Sequence, residues 1–170
     1  DRAECLVIGR LVQCDMQLTK PCSDGGRKID ERLEVLVDPF ALPPHWLRAY
    51  ALDVGWRRTA ALWGAYDQES DTWYWYHEHY VGEQQPTLHA AAIRAPGEWI
   101  PGLIDPAARG RSQVDGEALL DLYTDLGLHL EPYDNAVESG IYGVWERLST
   151  NRLKVFRSLS NYRKEQKLYR

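Results

Sequence analysis

Three strand-like runs stand almost end to end in the middle of this chain, and they constrain its fold more than any other feature. Arg48 to Val54 is mostly apolar, Thr59 to Tyr66 is apolar again, and Thr72 to Val81 reads TWYWYHEHYV. Ring-rich runs of this kind suit a pleated surface. The gaps between them are short, Gly55 to Arg58 after the first and Asp67 to Asp71 after the second. Reversals that short join antiparallel neighbours, whereas a parallel connection needs a dozen residues or more. The spacing predicts a three-stranded meander.

After Gly82 the pattern changes to alternating helix and strand. Pro86 sits where a first-turn helix proline belongs, and the Ala-rich stretch Thr87 to Ala95 ends at Pro96-Gly97. Trp99 to Ile104 reads as a short apolar strand stopped by Asp105-Pro106. Val114 to Leu126 carries Leu119, Leu122, Tyr123 and Leu126 at helical spacing, with Gly127 as its cap. A brief strand, Leu128 to Leu130, precedes a helix over Ala136 to Leu148 with Ile141, Val144, Trp145 and Leu148 on one stripe. Leu153 to Phe156 is another short strand, and Ser158 to Tyr169 a final basic helix. This order predicts an α/β fold, a mixed five-stranded sheet flanked by helices. With right-handed crossovers the first and fourth strands lie side by side and parallel. That arrangement is ribonuclease H-like, of the RuvC type.

Residues 1–47 read as a lead-in. Leu6 to Ile8 and Glu34 to Val37 look like short strands, with the turn-rich SDGGRK between them. Pro39 and the Pro43-Pro44 pair then punctuate the chain, so the domain proper is placed at 48–170.

In the expected sheet, Asp53 lies on the first strand and Asp105 ends the fourth. Neighbouring strands are about 4.8 Å apart, so both carboxylates reach a shared cation. Hard oxygen ligands on a rigid sheet suit Mg²⁺ or Mn²⁺, and two such ions roughly 3.5–4 Å apart clamp a phosphodiester during attack by water. The same aspartates also serve as ordinary turn formers, Asp105 before Pro106 included, and the pattern leaves both readings open. Arg57, Arg58, Arg109 and Arg111 flank the two acids as candidate phosphate contacts, or as solvated loop arginines. His77 and His79 share a strand face as a possible metal pair, although exposed strand polar residues explain them as well. Glu78 stands two strands from Asp53, roughly 10 Å away and too far to share a metal. Asp134-Asn135 suits a helix N-terminus.

Charge and composition narrow the function further. The 170 residues carry a net charge of −5, which for the chain as a whole disfavours a nucleic-acid binder. The charge is divided, however. Residues 141–170 hold eight basic and two acidic residues (+6), leaving 12 basic against 23 acidic (−11) before them. Lys164 and Lys167 on the final helix are the candidate DNA contacts of that basic segment, or part of a solvated helix face. At 44% hydrophobic and 26% charged residues, disorder is excluded, and no apolar run approaches a membrane span. Cys5, Cys14 and Cys22 form no CxxC pair, which argues against a zinc site or a disulfide framework. Neither a G-x-x-x-x-G-K-[ST] loop nor a serine nucleophile elbow occurs. Trp (7) and Tyr (10) far outnumber Phe (2), a bias that also suits a stacking platform for sugars or bases.

PFALPPHWLRAYALDVGWRRTAALWGAYD (Pro39 to Asp67) resembles the start of the nuclease domain of tailed-phage terminase large subunits. LIDPAARGRSQVDG (Leu103 to Gly116) resembles that family's second acidic motif, and Gly127 to Arg170 its helical continuation. The resemblance covers about residues 39–170. It implies a metal-dependent endonuclease, a hydrolase that cuts concatemeric viral double-stranded DNA at the initiation and termination of genome packaging. It also implies Asp53 as a metal ligand bridging two Mg²⁺ or Mn²⁺ ions and Asp105 as the second ligand. A third acid is expected beyond Arg170, and residues 1–47 become the linker from an absent ATPase domain. The implied partners are double-stranded DNA, the terminase small subunit and the portal of the procapsid, with no membrane. The isolated domain is expected to be a monomer in the host cytoplasm, not in the mature virion. Two other readings remain: another ribonuclease H-like nuclease, such as a junction resolvase or transposase core, and a non-catalytic aromatic-rich binding module.

Overall fold

A computed structural model describes residues 35–55, 57–104, 113–132 and 137–168, with the side chains of 113–118, 137–141 and 165–168 lying outside that description. Its elements follow the order β1 (Leu36–Val37), β2 (Leu47–Asp53), β3 (Thr59–Asp67), β4 (Thr72–Val81), α1 (Pro86–Arg94), β5 (Gly102–Ile104), α2 (Gln113–Asp125), β6 (Leu130–Pro132), α3 (Val137–Ser149), β7 (Leu153–Phe156) and α4 (Ser160–Leu168). The expected meander is present: β2 pairs antiparallel with β3, and β3 with β4. β5 then lies parallel against β2, the first and fourth strands of the predicted order side by side. The class is a mixed α/β sheet flanked by helices.

The sheet has seven strands rather than five, in the order β1-β7-β4-β3-β2-β5-β6. The two additional strands extend it past β4. Leu153–Phe156 pairs parallel with Trp73 to Trp75, and Leu36–Val37 pairs parallel with β7. The amides of Val155 and Arg157 donate to the carbonyls of Val35 and Val37 at 2.8 and 2.9 Å. Strands of two and four residues carry too little period to be assigned to a sheet from sequence. Physically they cover the backbone edge of β4, which would otherwise present a long row of unpaired groups.

Side chains alternate across the pleat, so each strand feeds two cores. One face gathers Ala49, Ala51, Leu62, Trp73, Trp75, Leu103, Leu153 and Val155 beneath Val144 and Leu148 of α3 and Tyr162 of α4. The other gathers Tyr50, Leu52, Ala61, Trp63 and Ile104 beneath Ala90 and Ile93 of α1 and Tyr123 of α2. The helical stripe expected on α3 is narrower than its sequence implied. Val144 and Leu148 are buried, but Trp145 remains 47% exposed. Trp99, expected to open β5, is 60% exposed, and the strand begins only at Gly102.

One irregularity in β4 decides which of its side chains reach which core. Trp63 pairs with His77 but Gly64 pairs with Trp75, so Tyr76 is an extra, bulged residue. Strict alternation after Trp73 and Trp75 would place His77 and His79 on their face. The bulge reverses the alternation. Glu78 instead pairs with Leu62 and Tyr80 with Ala60, on the face of Ala51 and Asp53, while His77 and His79 face the Tyr50 side.

Two local devices fix the sheet's ends. The Phe40 to Trp46 segment is clasped to β4 and β7 by rings: Phe40 meets Tyr74 at 5.4 Å and Phe156 at 5.1 Å, and Trp46 stacks on Tyr74 at 5.0 Å. Arg48 Nη2 ties the same segment down through the carbonyls of Leu42 and Pro43, both at 3.2 Å. At the other hairpin, Asp71 accepts from the Tyr66 hydroxyl at 2.9 Å and from Arg147 at 3.0 Å, and pairs with Arg152. The Arg147 hydrogen bond, the largest favourable cause, holds the Asp71 carboxyl below the usual carboxylate range against a smaller desolvation. With Asp71 41% exposed, each of these pairs is worth about 1 kcal/mol at most, so the network orients α3 rather than supplying its stability.

Close packing also joins β2 to β5. A Cβ built on Gly102 would stand 2.3 Å from Cζ of Tyr50, whose ring covers that position. Gly102→Ala is expected to cost about 1–3 kcal/mol by overpacking, read as a lowered thermal midpoint. An unchanged midpoint would show that the ring is free to move aside.

Candidate functional site

Asp53 is the last residue of β2, at the end where the parallel strands finish. The parallel register runs Tyr50↔Gly102, Ala51↔Leu103 and Leu52↔Ile104. Asp53 is the next residue on one strand and Asp105 follows Ile104 in the chain. Asp105 itself lies outside the described residues, as do Arg109 and Arg111. So do the three cysteines and the Asp134-Asn135 pair. Among the described residues, no group of three or more His, Cys, Asp or Glu is placed to hold a metal ion.

Asp53 pairs with Ala60, and Ala60 with Tyr80, so these three positions form one row across β2, β3 and β4 on one face. Ala60 is the small member of the row. Beyond it the Arg58 guanidinium lies 5.5 Å from the centroid of the Tyr80 ring, a cation–π arrangement. Arg58 also donates to the carbonyl of Arg57 at 3.2 Å. Both arginines are exposed, in the turn that follows Asp53. That turn is fixed by close approach. Thr59 Oγ1 donates to the Gly55 carbonyl at 3.2 Å, and a Cβ on Gly82 would fall 1.9 Å from the Arg57 carbonyl oxygen. The sequence therefore builds a small acidic and basic edge: a carboxylate at a strand end, a shallow Ala60 position, and a ring that orients a guanidinium.

The remaining candidates separate clearly. Lys164 is exposed on α4, whereas Lys167 lies on the same helix with its side chain outside the described set. His77 and His79 do share a face, but they do not form a pair with each other. His77 meets the Trp63 ring edge-on at 4.8 Å, and His79 Nε2 lies 2.9 Å from His89 Nδ1 of α1. The ring centroids of His79 and His89 are 5.1 Å apart, the separation of two imidazoles joined by one N–H···N bond, so the two nitrogens face each other rather than a common ion. Glu78 takes a role its sequence did not advertise: both of its oxygens accept backbone N–H groups at the start of α4. The aromatic surplus does not make a stacking platform on β4 either, because Trp73 and Trp75 are buried in the sheet's core at 2% and 0% exposure.

No family model matches the chain, and no curated protein matches it in sequence. Its fold is that of the nuclease domains of phage large terminases, ribonuclease H-like in architecture. The nuclease domain of the phage P22 large terminase superposes with a TM-score of 0.75 and 25% identity, over 85% of this chain and 79% of that one. The large-terminase nuclease domain of bacteriophage SPP1 with bound Mn follows at TM-score 0.56 and 16% identity, covering 79% of this chain and 78% of its own. That of thermophilic phage G20c with bound magnesium gives 0.55 and 12%, covering 86% and 81%.

The His79–His89 bond gives a pH signature. Burial, reinforced by the neighbouring His89 and His77, pulls His79 down to about 4, and burial lowers His89 as well. An unfolded histidine titrates near 6.5, so between these values the unfolded chain binds more protons than the folded one. The stability this pair contributes is complete above about pH 6.5 and is lost as the pH falls from there toward 4. Thermal midpoints measured from pH 7.5 to 5 should fall less steeply for His79→Gln than for the parent chain. Parallel slopes would remove the pair from the titration.

Proposed function

We propose that this chain is a divalent-metal-dependent DNA endonuclease domain in which Asp53 and Asp105 hold the metal. The single observation that carries this reading is the parallel β2–β5 register, which ends at Leu52↔Ile104, one position before each aspartate. Paired residues of parallel strands project to the same face, and in sequence the residue after each member of that last pair is an aspartate. The donor chemistry fits: two aspartate carboxylates are hard oxygen ligands, matched to Mg²⁺ or Mn²⁺ rather than to a soft thiolate metal. The likeness to nuclease domains seen with bound Mn, magnesium, zinc and cobalt supports divalent-metal binding.

Two ions bound there supply Lewis acidity toward a phosphodiester and its attacking water. The protein's own share is positioning. Asp53 ends a seven-residue strand that is paired with β3 and β5, so its backbone is held in place. Arg57 and Arg58 lie in the turn directly after it, and Arg58, laid on Tyr80, offers a planar fork to a phosphate. Arg109 and Arg111 follow Asp105 in sequence and complete the set of candidate phosphate contacts. Lys164 and Lys167 extend it along α4. In this reading the substrate is concatemeric viral double-stranded DNA, cut at the initiation and termination of packaging. The terminase small subunit and the portal are its partners, and the host cytoplasm is its compartment.

Asp53→Asn and Asp105→Asn in the full-length protein should each reduce Mn²⁺-dependent plasmid cleavage by about 100-fold or more with an unchanged circular dichroism spectrum. Full cleavage by both variants would remove the metal assignment.

A further inference from the structure

The helix that carries the basic end of the chain begins without a cap of its own. The first α-type bond of α4 runs from the Arg163 amide to the Leu159 carbonyl at 3.2 Å, which makes Leu159 the N-cap residue. Leu159 is 2% exposed and apolar, so it satisfies none of the free N–H groups that open a helix. Glu78, 81 residues earlier in the chain, does so instead. Its Oε1 accepts from the Asn161 amide at 2.9 Å and from Asn161 Nδ2 at 3.2 Å, and its Oε2 accepts from the Tyr162 amide at 2.8 Å. A carboxylate at this end also meets the positive pole of the helix.

The position of Glu78 gives this cap a functional meaning. Because of the bulge at Tyr76, Glu78 stands on the same face of the sheet as Asp53: Leu62 pairs with both Ala51 and Glu78, and the next row on that face is Asp53, Ala60 and Tyr80. Both Glu78 oxygens are engaged by donors, which leaves the residue as a tether rather than a metal ligand. The tethered helix carries Arg163, Lys164 and Lys167 against a single acid, Glu165.

We propose that Glu78 is a positioning residue for the DNA: it fixes the start of α4 to the catalytic face, so that Lys164 and Lys167 meet the phosphate backbone of a duplex lying across Asp53. This rests on the endonuclease reading above. The carboxylate acts through the helix and touches no reacting atom.

A double-mutant cycle on duplex affinity tests it, with the full-length protein, a duplex of about 30 base pairs and EDTA present so that no cleavage intervenes. Lys164→Gln/Lys167→Gln is expected to weaken binding about tenfold and to reduce the slope of log affinity against log salt by about one to two. Glu78→Ala should weaken binding and flatten the slope to a similar extent. The combination should be no weaker than the lysine variant alone, because the two act through one element. Glu78→Gln, which keeps one acceptor oxygen, should fall between the parent and Glu78→Ala, and it carries the test if the alanine variant does not fold. Unchanged affinity in the Glu78 variants, or losses that simply add to those of the lysine variant, would reduce the cap to a purely structural contact. If the lysine variant binds as the parent does, the proposal also fails. The metal assignment stands or falls separately on cleavage by the Asp53 and Asp105 variants.

Discussion

The contact between Tyr50 and Gly102 is the constraint on which the rest of the structure turns. β5 is only three residues long and has few bonds with which to choose its register against β2. The missing Cβ at 102 lets the Tyr50 ring lie across the strand, where it also packs against Trp63 at 5.3 Å. A slip of one residue would set a leucine side chain against that ring and expose what is now buried. The arrangement has a cost. The Tyr50 hydroxyl is buried with no hydrogen-bond partner among the described residues, an omission of about 1–3 kcal/mol, and burial pushes its ionisation well above the normal phenol range. Burying the ring offsets that cost, since a tyrosine or tryptophan removes roughly 150–250 Å² from water at about 25 cal/mol per Å².

The aromatic surplus and the charge asymmetry take on different meanings once the fold is known. Most of the indoles and phenols of the central strands are used for packing: Trp63, Trp73, Trp75 and Tyr50 fill the two faces of the sheet, and Phe40, Trp46 and Tyr74 clasp the segment that leads into β2. Rings with a polar atom are used where aliphatic residues are small. β2 and β3 contribute Ala49, Ala51, Ala61 and Ala65 to the same layers. The charge, by contrast, is sorted by element. Part of the C-terminal positive charge is spent internally, with Arg147 and Arg152 on Asp71 and Arg157 on Asp38, while Lys164 projects into solvent. A net excess of +6 over residues 141–170 therefore overstates the field that an approaching polyanion meets.

Much of the fold was legible in the sequence because its elements are bounded by strong punctuation. The run Thr72 to Val81 and the run Leu153 to Phe156 coincide with β4 and β7, and the helix expected at Thr87 to Ala95 is displaced by one residue at each end. Asp53 was legible as the end of an apolar run before Gly55. Three features were not. The pairing of Leu36–Val37 with β7 joins segments more than a hundred residues apart, which periodicity does not register. The bulge at Tyr76 lies within WYWYH, where every position carries a ring and alternation has no contrast. The engagement of Glu78 with α4 has no local signature either, since its partners Asn161 and Tyr162 lie 83 and 84 residues further along the chain.

The bulge has a consequence for how such a strand can change over time. Loops ordinarily absorb a gained or lost residue without harm, and at Tyr76 β4 has the same tolerance inside a strand. Deletion of a single amino acid between Trp75 and Glu78 would restore regular pairing with β3. It would leave the partners of everything downstream in place, Glu78 opposite Leu62 and Tyr80 opposite Ala60, because the lost residue is the one with no opposite number on β3. The bulge is therefore the position at which this strand can lose a residue without carrying the imidazoles, the carboxylate or the phenol to the other face.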